Sequence, residues 1–95
     1  MDCLREVRDA IDTAAATDRA TFARRTRNAV AQAVVAGALD PRVRAPDRAP
    51  PVEAVRALVG DELAADLTAL YAGGDDWTSR AIGVLEPLHQ LARAR

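Results

Sequence analysis

The sequence predicts an all-α fold, a small three- or four-helix bundle whose two helical halves are joined by a proline-rich linker. Three observations predict it. Apolar residues recur at spacings of three and four along four stretches, the signature of helices that bury one face. Alanine, the strongest helix former, dominates the apolar content. No run alternates apolar and polar residues between hairpin turns, so no sheet is expected.

The first helix is expected over residues 2–16, where Leu4, Val7, Ile11 and Ala14 form one stripe and Asp2 can complement the free N–H groups of the helix start. The stripe fails at Thr17-Asp18, which reads as a junction with a new N-cap. Neither glycine nor proline interrupts it, so a continuous helix is the alternative. A second helix is expected over residues 19–38. At about 100° per residue, Phe22, Thr26, Ala29, Val30, Ala33 and Gly37 share one face, with Arg24, Arg25, Arg27, Asn28 and Gln32 opposite. The small residues on the inner face should let a neighbouring helix approach closely.

Pro41 ends that helix, and residues 40–51 (DPRVRAPDRAPP) read as an extended linker, partly polyproline II. Pro51 suits the first turn of the next helix. Val52, Val55, Val59, Leu63, Leu67, Leu70 and Tyr71 follow in one phase, which favours a single helix over residues 52–72. A break at Gly60 with Asp61 as the new cap is the alternative. Gly73-Gly74 stops it, with Gly73 able to take a left-handed position. The last helix is expected over residues 76–94, capped by Asp75 or Asp76, with Asp76 placed to pair with Arg80 four residues on. Pro87 lies inside its apolar pattern, and its ring would meet the carbonyl of Gly83. A kink or short break near Glu86 is therefore expected.

Ninety-five residues make one domain that buries about two thirds of its unfolded surface. With alanine abundant and Phe22, Tyr71 and Trp77 the only aromatics, a thin core and marginal stability are expected. A protein partner or a second copy of the chain would supply the missing apolar contact. There is no lysine, and abundant arginine beside abundant alanine reads as coding bias, which weakens any inference to phosphate binding. The net charge of −1 argues against nucleic acid as the main partner. Cys3 is the only cysteine, which excludes an intrachain disulfide and fits a reducing, cytoplasmic setting. No apolar run approaches the roughly 18 residues of a membrane span, and the acidic N-terminus does not resemble a secretory signal.

Candidate functional residues are few. Arg24, Arg25 and Arg27, with Arg19 nearby, form the densest basic patch and are candidates for electrostatic docking. On a small DNA-associated regulator the Arg19–Arg27 face would contact phosphates. A proline-rich segment follows this helix, where a helix-turn-helix would need a short turn. Residues 1–48 hold nine arginines against seven acids, +2, and residues 49–95 four against seven, −3. Such asymmetry suits ordinary surface charge, or matched surfaces within or between chains.

Glu62 and Asp66 lie one turn apart on one face. The spacing Glu86-Pro87-Leu88-His89 matches half of a di-iron motif but occurs once, so no metal is expected. Glu86 can pair with His89 across a turn, yet no nucleophile is placed beside them, and no catalytic residue or cofactor is expected. Cys3, near a helix start, reads as a lowered-pKa thiol or as edge packing. Gly73-Gly74 lacks the pattern of a phosphate loop.

Trp77 in the first turn of its helix and Tyr71 across the double glycine form an aromatic corner that either closes the bundle or anchors a partner. With Leu85 and Leu88 they are the candidate partner-binding residues. The leading expectation is a protein–protein interaction module or small accessory subunit without catalytic activity. The alternatives are the DNA-associated regulator and a small enzyme whose site a partner completes.

Overall fold

The computed structural model describes residues 3–36, 49–74 and 76–93. Among them are five α-helices and no strand: α1 (Cys3–Asp12), α2 (Arg19–Ala36), α3 (Val52–Val59), α4 (Asp61–Ala72) and α5 (Trp77–Arg93), with a 3₁₀ turn at Thr13–Ala16. The all-α bundle is as the periodicity predicts. The expectations for Asp2, the Cys3 side chain, Gly37, the linker at 40–48 and Asp75 fall outside the described residues.

Leu4, Val7, Ile11 and Ala14 are all buried, so the first stripe is a core face. It tightens into the 3₁₀ turn, where the Thr13 hydroxyl donates to the Ala10 carbonyl at 2.6 Å. Thr17 is extended, and Asp18 opens α2. The Asp18 carboxylate accepts from the backbone N–H of Thr21 at 2.8 Å and from the Thr21 hydroxyl at 3.0 Å. One of the orphan donors of the helix start is thereby satisfied. These hydrogen bonds, the backbone one first, hold the carboxyl below its ordinary value.

The inner face of α2 is Phe22, Ala23, Thr26, Val30 and Ala33, and its most extensive packing is against α5, with α1 next. Ala23 and Ala33 on α2 and Ala81 on α5 are buried small residues that suit close helix packing. Alanine does not leave the core thin at its centre. Phe22, Tyr71 and Trp77 are all fully buried in it, with Leu4, Ile11, Leu67, Leu70 and Leu88.

Pro51 precedes α3 rather than occupying its first turn. It takes φ −78° and ψ 69°, an inverse γ-turn in which Val52 N–H donates to the Pro50 carbonyl at 2.9 Å. The single helix favoured over 52–72 is corrected to two. Gly60 adopts φ 89° and ψ 169°, a conformation open essentially only to glycine. Its N–H closes α3 on the Arg56 carbonyl, and its carbonyl starts α4 by accepting from Ala64 N–H. Arg56 spans the break, 3.3 Å from Asp61 and 3.0 Å from Glu53. Gly73 ends α4 at φ 83°, with its N–H on Leu70. Its ψ of −155° is extended rather than left-handed helical.

The break expected near Glu86 is absent, since α5 runs through Pro87 to Arg93. Gly83 and Pro87 both lie on the exposed side of α5, so water can reach the Gly83 carbonyl that loses its helical donor. The penalty of an internal proline is smallest in such a place.

Candidate functional site

The aromatic corner is built from the α4–α5 turn. Trp77 begins α5 directly after the glycine turn, and its indole Nε1 donates to the Leu70 carbonyl at 2.9 Å. Tyr71, two residues before Gly73, is tied to α1 twice. Its carbonyl accepts from Arg8 Nε at 2.8 Å, and its hydroxyl donates to Asp12 Oδ1 at 3.0 Å. The Arg8 guanidinium also lies 5.9 Å from the centre of the Tyr71 ring. Both rings are inside, at 0% and 1% exposure, and Leu88 is buried with them. Of the two roles open to the aromatic corner, this placement fits closure of the bundle. A tryptophan whose N–H finds a backbone carbonyl within its own fold is satisfied without a partner. Leu85 alone of the four retains partial exposure.

The basic residues of α2 differ in their surroundings. Arg19 Nε donates to the Leu58 carbonyl at 2.9 Å, serving an orphan carbonyl at the end of α3. Arg24 and Arg25 are exposed, but adjacent helix positions diverge by about 100°. Arg27 is half-buried and reaches Asn28 at 3.4 Å. Glu86 accepts from Gln90 at 2.8 Å, so the Glu86–His89 pair expected across a turn is replaced by a pair one position further on. No group of three or more potential metal ligands comes together among the described residues.

Among the described residues the exposed large apolar side chains are Val35 on α2 and Ile82 on α5. Single exposed apolar residues are normal on a protein surface. A concave feature of the surface lies elsewhere. A groove of about 450 Å³ runs between α4 and α5, lined by Val59, Glu62, Leu63, Asp66, Pro87, Gln90 and Leu91. It arises because α4 and α5 are antiparallel: Trp77 meets Leu70 at one end of the pair, while residues 62–66 face 87–91 toward the other. The Gly60 break brings Val59, the last residue of α3, to the same place.

Apolar surface from Val59, Leu63 and Leu91 forms the floor, and all three pack on or within the core. Exposed Glu62 and Asp66 stand on one wall, with exposed Pro87 and Gln90 on the other. The one-turn spacing of Glu62 and Asp66 is visible in the sequence, but the groove needs three helices that the sequence does not bring together.

The chain matches no protein-family model, no curated protein and no solved structure. No described helix is long and apolar enough to cross a membrane.

Proposed function

We propose that this chain is a protein-interaction module without catalytic activity of its own, and that the α4–α5 groove receives its partner. The observation that carries this reading is the groove itself, where apolar side chains continuous with the core meet solvent in a concave setting. Apolar floors with polar rims are the usual anatomy of a docking site. The proposed setting is the cytoplasm, supported by the lone cysteine. A homodimer is the form of this reading in which the partner is a second copy.

The DNA-associated alternative is less well supported, because Arg19 is engaged at the end of α3 and the chain's net charge is −1. The partner-completed enzyme would need a nucleophile or metal beside Glu62 and Asp66, and no described residue supplies one.

Peptide display against the immobilised chain tests the proposal, with binding mapped by amide chemical shifts. Enriched peptides should perturb Val59, Glu62, Leu63, Asp66 and Leu91 together. Failure to enrich any peptide, or a footprint confined to other surfaces, would sink the reading.

A further inference from the structure

The charged groups of the groove, Glu62 and Asp66, are both acceptors. Glu62 and Asp66 are exposed on α4, one helical turn apart, and neither has an ion-pair partner among the described residues. The neighbouring acid Asp61 is already matched, sharing Arg56 with Glu53. On the facing wall, the side-chain amide nitrogen of Gln90 donates to Glu86 at 2.8 Å. Gln90 keeps its carbonyl oxygen and one amide N–H to offer, whereas a carboxylate offers only acceptors. No cation among the groove's lining residues answers them.

Between these acceptors lies the apolar floor of Val59, Leu63 and Leu91. A ligand that complements both must carry donors of positive charge beside apolar side chains. Residues one turn apart on a helix stand about 5–6 Å from each other, so the Glu62–Asp66 pair matches two cations at the same spacing on a facing helix. We infer that the groove takes a basic amphipathic segment of a partner protein. Its apolar side chains lie on Val59, Leu63 and Leu91, and arginine or lysine side chains one turn apart pair with Glu62 and Asp66. This inference rests on the reading of the groove as the docking site and adds the chemistry of the partner. The attraction is strongest at low ionic strength and decays as salt screens the exposed pairs.

Two fluorescein-labelled peptides of about 16 residues test it, long enough to fold as a helix on binding. Both carry the same leucine stripe, flanked by arginine in one and by glutamate in the other. Anisotropy at low salt should show the arginine peptide binding roughly tenfold or more tightly, since two attractive pairs are exchanged for two repulsive ones. High salt should narrow the difference. In the double variant E62R/D66R, with its fold checked by circular dichroism, the preference should reverse.

Equal binding of both peptides at the groove would overturn the basic partner while leaving the docking groove intact. Preference for the glutamate peptide would do the same. If neither peptide binds there, the inference falls, and a display selection without groove ligands removes the docking reading as well. Light scattering that shows self-association lost in E62R/D66R would place a second copy in the groove and overturn the inference too.

Discussion

The hydroxyl of Tyr71 donates to the Asp12 carboxylate at 3.0 Å, joining α4 to α1 across most of the chain's length. The same residue's carbonyl is held by Arg8 one turn earlier on α1, so α1 grips the end of α4 through both backbone and side chain. Tyr71 is fully buried and Asp12 partly so. Tyr71→Phe keeps the ring and removes the donor, and should lower unfolding stability by about 1 kcal/mol in urea titration. Tyr71→Ala removes the ring as well and should cost about 3–5 kcal/mol.

Thr26 is fully buried on α2, and its hydroxyl has no hydrogen-bond partner. An unpaired hydroxyl in the interior costs more than a methyl of the same shape. Thr26→Val should therefore stabilise the chain by about 1 kcal/mol, raising Tm by about 4–8 °C in a domain of this size. Thr26→Ser keeps the hydroxyl, deletes the methyl and should lower Tm. A fall in Tm for Thr26→Val would show that the hydroxyl is satisfied in solution.

Gly60 has open space where a Cβ would sit, so any penalty at this position comes from the backbone and not from a clash. Its φ of 89° with ψ of 169° is strained for every other residue, and Gly60→Ala should cost about 1–3 kcal/mol. Calorimetry of the variant checks this. A rise in helicity without loss of stability would mean that α3 and α4 have merged.

The Asp18 cap carries a pH signature. Its carboxyl is held below the ordinary value of 3.8 by the Thr21 hydrogen bonds, so folding favours the ionised form. The contribution is fully present above the unfolded value and is lost as pH falls through the lower folded value. Acid titration of stability should show this loss below pH 3.8 in the native chain. Asp18→Asn retains a capping oxygen and should flatten that part of the curve.

The elements written in local chemistry are legible in the sequence. The stripe Leu4–Val7–Ile11–Ala14, the Asp18 cap and the glycine stop at 73 each depend on residues within a turn or two. The Gly60 break is hidden because Val55, Leu63 and Leu67 keep one phase across it, and all three are buried either way. Continuity at Pro87 depends on which side of α5 faces water, and that is set by packing against α2 and α4. The inward placement of Trp77 depends on the Leu70 carbonyl, which at the end of α4 accepts from both the Gly73 N–H and the indole. The groove was the least visible feature, since Val59, Leu63 and Leu91 look like core residues until three helix positions are known.

Trp77 is the chain's single tryptophan, and it sits ten residues or more along α5 from the groove residues Pro87, Gln90 and Leu91. At about 1.5 Å per residue, that places the indole some 15 Å or more from the proposed ligand. An internal fluorophore thus sits at one end of the α4–α5 pair, with the proposed docking groove toward the other. Indole emission should redden when the bundle melts and stay nearly constant while a peptide docks. Denaturation and ligand titration can then be followed in one sample, each through a signal the other leaves alone.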